Sequence, residues 1–325
     1  MNFDMRSAME LSRLSSRGVF GKALSDIEPE MPELMVVVAD VASSARVEEI
    51  ARRMPEKFVN VGIAEQNMVG IAAGLASCGK TVFASSFASF ASMRCFEMLR
   101  TQVGYMNLNV KMVALMSGMA NGTVGNTHYG LEDIALTRTI PNMTVLCPCD
   151  PFETYKATIA AAKHKGPVYL RLTGVNGFAP VYKSDFDFQI GKGIVVQDGK
   201  DVALIATGTV VGECLRAARG LARDGITPTI VDMHTLKPLD TELLDRLFAT
   251  HKLIVTIEEH FTIGGLGGAI AEYRADKPHA PRQIMIGIPN EFQKVGSYAF
   301  MLDKCGLSAP KIAAKVADEL KNLNA

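Results

Sequence analysis

The sequence predicts an α/β protein made of two doubly wound domains. Three observations carry that reading: β-branched apolar runs recur along the chain, helix-length segments separate them, and the pattern lapses once near the middle before it resumes. At 325 residues the chain also exceeds the roughly 100–200 residues usual for one domain.

Apolar runs at residues 35–39, 58–62, 81–84, 111–116, 144–147 and 168–172 read as buried strands. Helices are expected between them at 65–78, 88–103, 131–139 and 152–164. Such alternation implies a mostly parallel sheet, because a parallel crossover needs a long connection that is usually a helix. Residues 174–193 then mix Gly, Pro, Asp and aromatic residues without a sustained period, as a connecting segment does. A second series follows, with strands at 202–206, 229–232, 253–258 and 283–288 and helices near 211–223, 241–250, 268–275 and 309–323. The expected division is 1–185, including the connecting segment, and a smaller domain at 190–325.

Composition narrows the function classes. Formal net charge is zero and no dense Lys/Arg run occurs, so the electrostatic footprint of a nucleic-acid binder is missing. Hydrophobic residues make up 48% of the chain, yet polar or charged residues interrupt every long stretch, and no membrane span is expected. The start, Met1-Asn2-Phe3-Asp4-Met5-Arg6, lacks the features of a signal peptide, which makes the cytoplasm the expected compartment. Cys78, Cys95, Cys147, Cys149, Cys214 and Cys305 show no CxxC spacing suited to zinc and read as reduced thiols, mostly in the core.

The chemistry gathers where the run Phe58-Val59-Asn60-Val61-Gly62 gives way to a helix. This places Glu65 near the carboxyl edge of a parallel sheet, where ligands bind in such folds. Taken alone, a first-turn glutamate serves equally well as a complement to the helix dipole, worth about 0.3–1 kcal/mol. Phe87 and Phe90 are three residues apart, so they share one face and either present rings to a ligand or pack as core. His128 lies in the polar loop Gly122-Thr123-Val124-Gly125-Asn126-Thr127-His128-Tyr129-Gly130, where an imidazole exchanges protons near neutral pH. Arg171 ends the run Val168-Tyr169-Leu170-Arg171. Its guanidinium suits either a bidentate anion contact or an internal salt bridge.

The stretch Val61-Gly62-Ile63-Ala64-Glu65-Gln66-Asn67-Met68-Val69-Gly70-Ile71-Ala72-Ala73-Gly74-Leu75-Ala76 closely resembles the corresponding segment of transketolases and deoxyxylulose-phosphate synthases. Phe87, Phe90, Asn126-Thr127-His128, Leu131-Glu132-Asp133-Ile134-Ala135 and Arg171 follow in family order. The resemblance covers most of residues 20–175 and continues more weakly through Val255-Thr256-Ile257-Glu258-Glu259-His260 and Gly264-Gly265-Leu266-Gly267-Gly268. It implies a thiamine-diphosphate pyrimidine-binding domain followed by a transketolase C-terminal domain, the β-type subunit of a split transketolase. Such a transferase moves a two-carbon ketol unit between ketose and aldose, here sugars that are phosphorylated or otherwise anionic. In this family reading Glu65 hydrogen-bonds the cofactor's aminopyrimidine and promotes its imino tautomer. Phe90 stacks on the pyrimidine, with Phe87 completing or backing the pocket. His128 binds substrate and transfers protons, Asn126 contacts substrate, and Arg171 grips the substrate's terminal anion.

The resemblance also has gaps. Val124, Tyr129 and Met116 stand where the family carries an acid, a glutamine and a histidine, which points to an unusual ketose or α-hydroxyketone. Nothing resembles the family's Gly-Asp-Gly segment that binds Mg2+ and diphosphate. The implied remedy is an α-type partner subunit that carries this site, in an α2β2 assembly. The glycines at 264–268 lack G-x-G-x-x-G spacing and read as tight strand-to-helix geometry. Glu258, Glu259 and His260, being adjacent, do not point to one site, and no metal ligand is assigned to this chain. Two alternatives remain: the β subunit of a 2-oxoacid dehydrogenase, and a noncatalytic transketolase-like binding or regulatory subunit.

Overall fold

The computed structural model of the chain describes residues 5–175, 177 and 180–324. Met1 to Asp4 of the expected leaderless start, and Asn176, Phe178 and Ala179 of the connecting segment, lie outside the described residues.

The first sheet uses β1 (Leu34–Val38), β2 (Phe58–Asn60), β3 (Thr81–Phe87), β4 (Val110–Ser117), β5 (Thr144–Leu146) and β6 (Val168–Thr173). They lie in the order β5-β6-β4-β3-β1-β2, every neighbour parallel. Helices on both faces explain why β3, β4 and β6 are apolar and buried almost without alternation. The second sheet uses β7 (Ile194–Gln197), β8 (Asp201–Thr207), β9 (Thr229–Asp232), β11 (His251–Phe261) and β12 (Arg282–Ile288), in the order β12-β11-β8-β9-β7. Only β7 runs antiparallel to its neighbour. The two-domain α/β architecture with parallel sheets is thus observed.

One strand crosses between the domains. β10 (Thr235–Lys237) follows β9 in sequence but pairs antiparallel with β5, extending the first sheet to seven strands. The cores merge as well, since Val145 and Tyr169 of the first sheet share a buried cluster with Ala203, Ile205 and Val231 of the second. The second domain is therefore packed against the first, and its loops can position groups there.

Two expectations change. The segment expected as one helix at 88–103 is instead two π-helical turns, Phe90–Arg94 and Leu99–Tyr105, around the short helix Phe96–Met98. Ser92 Oγ donates back to the Ala88 carbonyl at 2.7 Å and Cys95 Sγ to that of Ala91 at 3.2 Å, back-bonding of a kind that bends helices. π-turns of this kind concentrate at functional sites. The sequence reading also omits the helix Ser16–Ile27, although Ser15 caps it by accepting from the Gly18 amide and Phe20 and Leu24 pack with Leu34 and Val36. Among the described residues no helix is long and apolar enough to cross a membrane. All six cysteines are free, and five of them are buried.

Candidate active site

β2 ends at Asn60, whose side-chain oxygen accepts from the amides of Gly62 (3.0 Å) and Asp40 (3.1 Å). Gly62 then turns the chain at φ +72, a left-handed conformation that glycine adopts without strain. The turn delivers the chain into the helix Glu65–Ser77, with Met68, Val69, Ala72, Ala73 and Ala76 buried in the core and Glu65 in the first turn. Glu65 is consequently at the carboxyl edge of the sheet with its side chain only 3% exposed. Its Oε1 accepts from Ser86 Oγ of β3 at 3.3 Å, and its Oε2 pairs with Arg94 Nη1 at 2.9 Å. A cavity lined by Ile63, Ala64, Glu65, Gln66, Asn67 and Arg94 opens at this point.

The end of β3 and the first π-turn supply the aromatic part. The Phe90 and His128 rings form a T-shaped pair at 5.2 Å between centroids, and Phe87 lies 6.1 Å from Phe90 and 6.0 Å from His128. Arg94 joins the two halves, because its guanidinium carbon sits 4.0 Å from the Phe90 ring centroid while it pairs with Glu65. Glu65, Phe87, Phe90 and His128 are therefore brought to one place, with Arg94 as a residue the sequence reading missed. Its spacing of four from Phe90, a cation–π spacing on a helical face, is the one local signal that points to it. Burial, and then the nearby Glu65 charge, push the Cys95 thiol up to about 12, so this cysteine behind the site is held as an unreactive thiol.

His128 is held by the second domain. The loop that carries it is closed at its base by paired backbone bonds between Gly118 and Gly130 (3.0 and 3.1 Å). Glu259 of β11 then pins it, its Oε1 accepting from the Met119 amide at 2.6 Å, and a side chain at Gly118 would collide with that carboxylate. Further out, the Gly296 amide donates to the Gly122 carbonyl at 3.0 Å. At the tip, the Thr127 hydroxyl lies 2.9 Å from His128 Nδ1.

Two expected substrate contacts do not fit this geometry. Arg171 is 4% exposed and turned inward: its Nε donates to Asp133 Oδ2 at 2.8 Å, its Nη2 to the carbonyls of Gly130 (2.9 Å) and Glu259 (3.0 Å), and its Nη1 lies 3.8 Å from Cys147 Sγ. Burial works against its charge, but Asp133, Cys147 and Glu259 together outweigh that and raise its pKa. The internal salt bridge is therefore observed, with the guanidinium buried among protein acceptors. Asn126 has both ends of its amide on the Gln293 backbone, donating to the carbonyl at 2.6 Å and accepting from the amide at 2.9 Å, so it clamps the loop to the second domain. Tyr129 has a structural part too. Its buried hydroxyl points at the carbonyls of Gly122 (3.0 Å) and Lys294 (3.3 Å). Val124 is exposed on the same loop, while Met116 is half-buried at φ +56 with its sulfur packed against Gly174.

The adjacent Glu258, Glu259 and His260 serve three different ends. Glu258 accepts from the amides of Leu266 and Gly267 at the next helix's start, Glu259 also accepts from Thr209 and Tyr298, and His260 contacts the Phe261 carbonyl and the Ala135 amide. Among the described residues one group of His, Cys, Asp or Glu side chains is close enough to share an ion: Cys149, Glu153 and Asp232, wholly buried.

Known proteins match this arrangement. The family "Transketolase, pyrimidine binding domain" matches residues 12–176, and "Transketolase, C-terminal domain" matches residues 191–312. A protein of Methanocaldococcus jannaschii named as a transketolase C-terminal section is 41% identical over 93% of this chain and 95% of its own length. A 6-deoxy-6-sulfo-D-fructose transketolase subunit of a Clostridium species is 37% identical over 89% of this chain and 90% of its own. A solved structure described as a split gene transketolase, inactive beta4 tetramer, superposes with a TM-score of 0.85 at 39% identity, covering 95% of this chain and 98% of that one. With both domain families matched in order and such relatives spanning nearly its whole length, the chain belongs to the transketolase family, whose members depend on thiamine diphosphate.

Proposed function

We propose that this chain is the β-type subunit of a transketolase, that Glu65 activates thiamine diphosphate, and that the pair of subunits transfers a two-carbon ketol unit between anionic sugars. The observation that carries the reading is the Glu65 carboxylate, buried at a helix start and joined through Arg94 to the Phe90 ring, which in turn meets His128. These residues fit the pyrimidine end of the cofactor. Arg94, a planar cation with N–H donors, already rests on both the Glu65 oxygen and the Phe90 face, the chemistry an aminopyrimidine also presents. When bound, the cofactor supplies the electron sink for breaking and making carbon–carbon bonds.

The chain's own residues supply orientation and proton handling. Glu65 offers a carboxylate oxygen to a ring N–H, Phe90 fixes the ring plane, and Phe87 backs it. His128 gives or takes a proton at the substrate, with its loop held in place from the second domain. Mg2+ and the diphosphate are assigned to an α-type partner in an α2β2 assembly. That reading is supported by a similar chain whose tetramer of β subunits alone is described as inactive. The relative named for a sulfonated fructose supports an anionic substrate. Because Arg171 is committed internally, the anion contact is assigned to other groups. The cytoplasm and the division at 1–185 and 190–325 are retained in this proposal.

The test is reconstitution. The chain is combined with its α-type partner, Mg2+ and thiamine diphosphate, and ketol transfer is measured over a panel of phosphorylated and sulfonated ketoses and aldoses. Transfer from at least one donor is expected; no transfer across the panel overturns the proposal.

A further inference from the structure

The two surfaces assigned to the pyrimidine are already taken by one side chain. Arg94 Nη1 holds Glu65 Oε2 at 2.9 Å, and the same guanidinium lies 4.0 Å from the centre of the Phe90 ring. Phe90 and Arg94 are the first and last residues of one π-turn, which brings ring and guanidinium together. Gln66 Nε2 donates to the Arg94 carbonyl at 3.2 Å, tying this turn to the helix that carries Glu65.

The arrangement opens to solvent on the Arg94 side. The Arg94 side chain is 45% exposed and lines the cavity beside Glu65, so it can swing into solvent without opening the core. An ion pair with one partner half in water is also weak and sensitive to salt.

We propose that Arg94 is a displaceable latch, its guanidinium covering Glu65 and Phe90 in the chain without cofactor and leaving when the pyrimidine arrives. The inference rests on the proposed cofactor role of Glu65. The latch keeps the Glu65 carboxylate compensated while the pocket is unfilled, and it makes pyrimidine binding a competition. It therefore weakens cofactor capture by the free subunit and leaves loading to the assembled pair, where the diphosphate adds its own contacts.

The test uses thiamine, which has the pyrimidine but no diphosphate, titrated calorimetrically into the full chain. Wild type, Arg94→Met, Arg94→Lys and Glu65→Gln are compared. Arg94→Met is expected to bind thiamine up to about fivefold more tightly than wild type, the worth of one half-exposed ion pair released. Arg94→Lys should fall between them, because it keeps the charge and loses the planar stack. Raising salt should tighten binding to wild type and leave Arg94→Met unmoved, a response that a merely structural arginine would not give. Thermal unfolding of each variant checks the fold, and Arg94→Lys carries the comparison if Arg94→Met does not fold.

Equal or weaker binding by Arg94→Met overturns the latch. The cofactor role of Glu65 then still stands if Glu65→Gln lowers thiamine affinity. If no variant binds thiamine and the assembled pair does not bind thiamine diphosphate, the cofactor role fails and the latch fails with it.

Discussion

Asp133 pairs with Arg171 at 2.8 Å, and Glu65 pairs with Arg94 at 2.9 Å. In the first pair the side chains are 0% and 4% exposed; in the second they are 3% and 45% exposed. Around Arg171, the carbonyls of Gly130 and Glu259 take up further donors, and Tyr169 adds its hydroxyl to Asp133 at 3.0 Å. Around Arg94 there is the Phe90 ring and then water. Two pairs of the same chemistry and length thus do different work, because one is enclosed by the junction of both domains and the other lies at a mouth. The closed pair holds the junction, and the open pair leaves its cation at the mouth of the cavity beside Glu65.

The largest expected effect breaks the closed pair. Arg171→Met leaves Asp133 buried without its cation and should cost about 3–5 kcal/mol of stability. Arg94→Met should cost no more than about 1 kcal/mol, the range of exposed pairs. Denaturant unfolding of the full chain measures both, and equal losses would erase the distinction drawn between them.

A second effect separates binding from turnover at the mouth. His128→Asn in the reconstituted pair should lower kcat by about 100-fold, the lower end of general acid–base contributions, and leave thiamine diphosphate affinity nearly unchanged. A matching loss of affinity would make His128 a cofactor-binding residue instead.

The smallest expected effect concerns the buried junction alone. Burial pushes the Asp232 carboxyl up to about 7 from its ordinary 3.8. Tyr182 donates to it at 2.8 Å, and Cys149, Asp150 and Glu153 face the same point. The folded chain therefore holds a proton there that the unfolded chain has released above about pH 4, so this contribution to stability is present at low pH and is lost as pH rises through about 7. The stability advantage of wild type over Asp232→Asn should shrink by at least about 1 kcal/mol between pH 4 and pH 8, one pKa unit's worth. A difference that does not change with pH would contradict this. The oppositely shifted His234 and His260, whose pKa values burial lowers to about 4, cancel in the comparison.

How much of this was legible in the sequence follows the same division. The principal strands show as apolar runs because both sheet faces are covered, and Glu65 shows because its whole strand–turn–helix segment is local. β7 and β10 do not show: β7 is a partly exposed edge strand at the end of the connecting segment, and β10 joins a sheet in the other domain. The roles of the two arginines were not legible either. Arg171 depends on Asp133, 38 residues away, and on the Glu259 carbonyl, 88 away, whereas Arg94 meets Glu65 across 29. An arginine at the end of an apolar strand reads the same whether its head faces a ligand or a buried aspartate. The roles of Asn126 and Tyr129 were hidden for the same reason, since Gln293 and Lys294 that fix them belong to the other domain.

The most direct test of Glu65 as the activating carboxylate is Glu65→Gln in the reconstituted pair, which keeps the side chain's size and removes its charge. Ketol transfer is measured alongside assembly of the two subunits. The expected result is intact assembly with turnover lowered by about 100-fold or more. Intact assembly with unchanged turnover would contradict the role assigned to Glu65.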